Sequence, residues 1–200
     1  MSLIRPMFIF FSLIFCITVS AQTQRNVADT SFAQKDTSYW SYNFRQFRDA
    51  VYQNDIAKAK SFIDLPFMSE NNEIWYLLNT KVVEKMGDKV KPLTESDFVR
   101  YFNSLFPKYF IKCLLKVKTD ELYKTGEYTT MRLEDSPSSK DYYWMDAKWD
   151  KSDNTLTLYL NSRAAYKDED GEGVSELAII YVFEITKKGH IKLTGIGMAG

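Results

Sequence analysis

Few side chains in this sequence are equipped for chemistry, and their neighbours argue against most of it. His190 is the only histidine. It follows Gly189 in the turn-like stretch Lys187-Lys188-Gly189-His190. One imidazole cannot build a histidine-rich metal site, and no second soft ligand lies nearby in sequence. A Ser-His-Asp arrangement would have to use it at a tight hairpin, without a nucleophile-elbow sequence. Cys113 sits in Phe110-Ile111-Lys112-Cys113-Leu114-Leu115. Apolar surroundings raise a thiol's pKa, which works against a Cys113–His190 nucleophilic pair, and the residue reads as a small buried hydrophobe. Asp168-Glu169-Asp170-Gly171-Glu172-Gly173 carries oxygens at the first, third and fifth positions and glycine at the sixth, the first half of a calcium loop. The twelfth position, where a bidentate Glu belongs, is Ile179, and the segment leads into a strand; it reads as an acidic loop tip joining two strands. The sequence therefore assigns no catalytic residue, no cofactor-binding residue, no cofactor and no metal ligand.

The elements that would position any site divide into two halves. Trp40, Phe44, Phe47 and Val51 form one stripe of a helix. Asn54-Asp55 can cap a second, with Ile56, Ala59, Phe62 and Ile63 as its buried face and Pro66 as its stop. Residues 70–91 fit a helical stripe through Ile74, Leu77, Leu78 and Val82, although Ile74-Trp75-Tyr76-Leu77-Leu78 also has strand composition. Thr94 with Asp97 predicts a capping box, followed by a stripe of Phe98, Tyr101, Phe102 and Leu105. Pro107 separates this helix from a shorter one through Phe110 and Leu114.

From about residue 127 the period changes from helical to strand spacing. Tyr143, Met145, Ala147 and Trp149 alternate along one strand, and Leu156, Leu158 and Leu160 along the next, with turn chemistry at Lys151–Asn154 between them. A polar loop over Lys167–Gly173 should lead into a long strand with Leu177, Ile179, Tyr181, Phe183 and Ile185 on one face. A last strand carries Ile191 and Leu193. Helices followed by an antiparallel meander make the fold α+β, with N-terminal helices packed on a curved antiparallel sheet of about four to six strands.

The N-terminus predicts export. Arg5 supplies a positive n-region, Met7–Val19 is an almost unbroken apolar run, and Val19-Ser20-Ala21 presents small residues for cleavage. The run is short for a membrane span, which needs about 20 residues. Phe15 before Cys16 departs from the small residue of a lipobox. The expectation is a signal peptide over 1–21, a flexible polar lead over 22–38, and one α+β domain over 39–200, in the periplasm or outside a Gram-negative-type cell, with no membrane span after cleavage. A retained anchor and lipidation are the rival readings. Lysine and arginine number 26, matching 26 acidic residues, so the basic footprint of a nucleic-acid binder is missing.

The stretch Phe44–Val51 followed by Asn54-Asp55 and Leu65-Pro66-Phe67, and the later Leu93–Phe98, is similar to the cone-shaped α+β superfamily of nuclear transport factor, ketosteroid isomerase and polyketide cyclases. The cystatin-like arrangement, one helix wrapped by a sheet, is the near alternative. The resemblance implies a concave interior closed by helices. The isomerases of that superfamily use a buried acidic base with a Tyr and a protonated Asp, which cannot be placed residue by residue here; Asp146 and Glu184 lie on the more polar faces of their strands. Aromatic residues make up 16% of the chain, enough to line a cavity as well as fill a core. Tyr143, Trp149 and Tyr181 share the inward faces and are the candidate pocket lining. Three functions stay open: binding of a small apolar ligand or an envelope protein without catalysis, an isomerase or cyclase with a buried carboxylate, and a filled-core structural or interaction module.

Overall fold

A computed structural model describes residues 39–69, 72–86, 89–134, 141–168 and 171–200. The predicted signal peptide and polar lead lie outside the described residues. Helix α1 (Trp40–Tyr52) buries the predicted stripe, with Trp40, Phe44, Phe47 and Val51 all facing inward. Asn54 then turns left-handed at φ 56°, and the Asp55 carboxylate accepts a hydrogen bond from the Lys58 amide at 3.0 Å to start α2 (Ile56–Lys60). This helix ends before Phe62 and Ile63, sooner than the stripe predicts and well ahead of Pro66. The chain leaves it to reach the sheet: the Leu193 amide donates to the Phe62 carbonyl at 2.8 Å, and Ile63 bridges Leu193 in parallel. A backbone pairing with a sheet edge displaces one more helical turn.

The ambiguous stretch after residue 70 is helical, as α3 (Glu73–Leu78) and α4 (Thr80–Met86). Ile74 and Trp75 are fully buried, and the Trp75 indole donates to the Lys91 carbonyl at 2.7 Å. The capping box forms at α5 (Glu95–Leu105), where Thr94 and Asp97 exchange side-chain and backbone hydrogen bonds. Pro107 opens α6 (Lys108–Leu114). A further helix, α7 (Thr119–Thr125), was not signalled by any stripe; it buries only Thr119 and Leu122, and Gly126 at φ 88° ends it.

The strands are β1 (Glu127–Thr129), β2 (Leu133–Glu134), β3 (Tyr142–Asp150), β4 (Thr155–Asp168), β5 (Gly171–Ile185) and β6 (Ile191–Ala199). They form an open antiparallel sheet in the order β1-β3-β4-β5-β6, with β2 also on β3. The fold is thus α+β with helices preceding a six-stranded sheet, and a helical layer of seven elements among the described residues displaces the one-helix cystatin-like alternative. The predicted loop over Lys167–Gly173 is corrected. Both strands run on into it, as far as Asp168 on one side and from Gly171 on the other, pairing Tyr166 with Gly173 and Lys167 with Glu172. A ribbon exposed on both sides needs no apolar alternation. Here the Tyr166 ring lies over Gly173, where a β-carbon would come within 2.5 Å of it, and Lys167 pairs with Glu172 at 3.1 Å.

A bulge between Val182 and Phe183 of β5 and their partners on β6 decides what the last strand buries. Phe183 pairs with Leu193 and Tyr181 with Ile196, so one extra residue separates two side chains that both point to the core. Without it, strict alternation would send Ile196 outward. The core lies between the helices and this sheet face, with Met145, Ala147, Leu156, Leu158, Tyr181 and Phe183 buried against the helical rings. No helix among the described residues is long and apolar enough to cross a membrane.

Candidate functional site

The three residues expected to line a pocket share the helix-facing side of the sheet, and each meets residues of the helical layer. Tyr181 is fully buried; its hydroxyl donates to the Leu105 carbonyl at the end of α5 at 2.8 Å. The Phe110 and Phe106 rings lie 4.4 and 6.2 Å from it, and burial pushes its phenol pKa up. Tyr143 stacks on Tyr109 of α6 at 3.8 Å with the rings nearly parallel. Trp149 meets Trp40 of α1 at 4.9 Å and stacks on Tyr123 of α7 at 5.2 Å, with the Lys151 ammonium 5.0 Å from its ring. More rings lead to Tyr181 from the helical layer. Phe62, Phe47, Phe106 and Phe110 run in successive contacts of 5.4 to 5.7 Å, which end on Tyr181.

The interior is poor in groups that could act on a substrate. Among the described residues the buried polar side chains are Asn43, Ser69, Asn72, Thr119 and Thr130, with no carboxylate, lysine, arginine or histidine. Most are structural: Asn43 donates to the Gly189 carbonyl, Ser69 accepts from the Ile74 amide, and Thr130 accepts from the Met145 amide. Among the described residues three buried side-chain polar atoms have no hydrogen-bond partner: the Thr119 hydroxyl and the indole nitrogens of Trp40 and Trp149.

The Asp97 and Asp150 carboxyls both have pKa values shifted down. Burial works to raise Asp97, but hydrogen bonds from Thr94 and the charges of Lys91 and Arg100 outweigh it. Asp150 is held low by hydrogen bonds from the Ser152 side chain and the Asp153 and Ser152 amides. Cys113 is fully buried, and desolvation lifts its thiol to about 11 against the opposing charge of Lys112. His190 is exposed in the β5–β6 turn, so the structure gives the two no common setting. No group of three or more His, Cys, Asp or Glu among the described residues is placed to hold a metal. Of the acidic loop tip, Glu169, Asp170 and the Asp168 side chain lie outside the described residues.

The exterior is more articulated. An open recess of about 530 Å³ lies between α1 and α7, walled by Arg45, Arg48, Lys118 and Lys124, with Arg45 paired to Asp120 across it. A second, of about 540 Å³, lies between α6 and β2, lined by Lys112, Leu115, Lys116, Arg132 and Leu133. The outward face of β3 and β4 carries three half-buried rings, Tyr142, Trp144 and Tyr159, around Asp146. That carboxylate accepts from Thr129 at 2.7 Å, from Asn161 at 2.8 Å and from the Trp144 indole at 3.3 Å. In the sequence Asp146 reads as a polar-face carboxylate, and its neighbours carry no motif that marks them. The available signal was that β3 alternates aromatic residues on both faces: Tyr143 and Trp149 on one, Tyr142 and Trp144 on the other.

No protein-family model and no curated protein sequence matches the chain. Among solved structures, a candidate ketosteroid isomerase from Shewanella frigidimarina aligns with a TM-score of 0.34 and 12% identity, over 80% of this chain and 94% of that one. The α+β architecture stands on the coordinates, and no residue role is transferred from that protein.

Proposed function

We propose that this chain is an exported, non-catalytic binding domain that engages its partner through its exterior. The observation that supports the reading is the continuous run of ring contacts from Phe62 through Phe47, Phe106 and Phe110 to Tyr181, the packing of a filled interior. An isomerase or cyclase of the resembled type would need a buried carboxylate with a raised pKa. The described residues offer no buried carboxylate, and the two shifted carboxyls move the other way. Export rests on the charge, apolar run and small-residue site of residues 1–21.

The test is a pair of mass spectra, native and denaturing, of the protein secreted from a Gram-negative host. The expected result is one mass in both, that of a chain beginning at Gln22. An additional mass lost on denaturation, with the partition behaviour of an apolar compound, would overturn the exterior reading in favour of a carrier.

A further inference from the structure

We propose that the outward face of β3 and β4 is a saccharide-binding platform built on Trp144, Asp146 and Tyr159; it rests on the exterior-binding reading and names that surface's ligand class. The uncovered side of an antiparallel sheet is ordinarily polar. Here the register puts Asp146 directly across from Tyr159 and Trp144 across from Asn161, so the two rings are diagonal neighbours with the carboxylate between them.

Polar bonds hold this group in place. Asp146 takes three hydrogen bonds, from strands on either side and from Trp144 on its own strand. A carboxylate offers about four acceptor positions, which leaves room for a further donor. Trp144 is half-buried, and its indole N–H is held by Asp146, two residues along its own strand, which restrains the ring. Beside it the Tyr142 ring lies 5.6 Å away, its hydroxyl accepting from Arg163 at 3.0 Å. The side chains are therefore ordered before any ligand arrives, which lowers the entropic cost of binding.

The chemistry of this surface selects among partners. A sugar ring presents an apolar C–H face and, around its rim, adjacent hydroxyls. Flat aromatic rings match the first, and planar carboxylate, amide and guanidinium groups match the second. The face of a protein interface that is buried most deeply is depleted of charge. This one has Asp146 at its centre, with Lys148 set 5.7 Å over the Tyr159 ring and Arg163 beyond. The charges are of both signs, which suits a neutral glycan better than a polyanion.

The experiment uses the secreted protein and four neutral probes: maltohexaose, cellohexaose, laminarihexaose and N-acetylchitohexaose. The chain has four tryptophans, so four indole N–H signals appear in a ¹H–¹⁵N spectrum, and Trp144→Phe identifies one of them. At least one probe is expected to move the Trp144 signal more than those of Trp40, Trp75 and Trp149. Trp144→Ala and Tyr159→Ala should each weaken that binding about tenfold, as truncation of a contact aromatic does. Asp146→Asn, which keeps the shape, should also weaken it and guards against a variant that fails to fold. If no probe moves the Trp144 signal, or if binding survives both ring truncations in folded protein, the platform is overturned. Capture of a protein on this face, lost with the same variants and without any glycan effect, overturns the saccharide and leaves the exterior reading standing. A co-purified apolar compound, by contrast, defeats the exterior reading itself.

Discussion

Truncating Tyr181 distinguishes a filled interior from a ligand cavity. The ring is fully buried in the row Ala147–Leu158–Tyr181–Ile196, against Phe106 and Phe110. Its hydroxyl satisfies the carbonyl of Leu105, one of the terminal acceptors that α5 cannot satisfy internally. Tyr181→Phe removes that donor alone, and stranding a buried acceptor costs about 1–3 kcal/mol. Tyr181→Ala also removes the ring. In a packed core a large aromatic-to-alanine change costs about 3–5 kcal/mol, because the walls collapse only in part. The Ala variant should therefore lie well below the Phe variant in stability. The assay is urea unfolding followed by tryptophan fluorescence, with the slope checked so that midpoints convert to free energies. If Tyr181 instead lined an open cavity, one side of the ring would have few partners to lose. A cost for Tyr181→Ala within about 1 kcal/mol of Tyr181→Phe would refute the packing argument.

Two more perturbations follow from the same interior. Desolvation raises the Cys113 thiol from 9.0 to about 11, so above about pH 9 the unfolded chain gives up this proton while the folded chain keeps it. Stability is thus intact below that pH and falls as pH rises toward the folded value, by about 1.4 kcal/mol per unit from this group. Cys113→Ala should flatten that limb relative to the parent in urea titrations at graded alkaline pH, and parallel curves would contradict it. The Thr119 hydroxyl is buried without a partner, so Thr119→Val removes a desolvated group and loses no hydrogen bond. The expected change is neutral to stabilising by about 1 kcal/mol, and a loss of that size would show that the hydroxyl is satisfied in solution.

What could be read from the sequence divides by the range of the interactions involved. α1 and α5 were legible because their stripes and the Thr94–Asp97 box are local, and β3 to β6 because alternation marks a face covered on one side. α7 was not, since Thr119 and Leu122 are too few to make a stripe. The outer part of the β4–β5 ribbon was missed because Lys167 and Glu172, paired across strands, look like loop residues when read in line. The inward orientation of Tyr143, Trp149 and Tyr181 was visible. What stands against them was not: Tyr109, Trp40, Tyr123 and Phe110 arrive from helices that only the fold brings to the sheet. The Asp146 hub was illegible for the same reason. Thr129 and Asn161 reach it through the register of three strands, and no spacing in the sequence encodes that meeting.

Strand β3 carries aromatic rings on both of its faces. A strand with aromatics on both faces ordinarily belongs in the middle of a protein, covered on both sides. Here the inner rings are used up in packing, by Tyr109 for Tyr143 and by Trp40 and Tyr123 for Trp149. The outer rings are held by hydrogen bonds and cations instead: Trp144 by Asp146, Tyr142 by Arg163 with Arg132 4.5 Å over its ring, Tyr159 under Lys148. Rings left over from a core would gain nothing from that polar frame, and smaller polar residues would serve the solvent side of a sheet equally well. The frame fixes their orientation while keeping the surface wet. That is the physical requirement of a contact surface that must stay soluble when empty and be ordered when met.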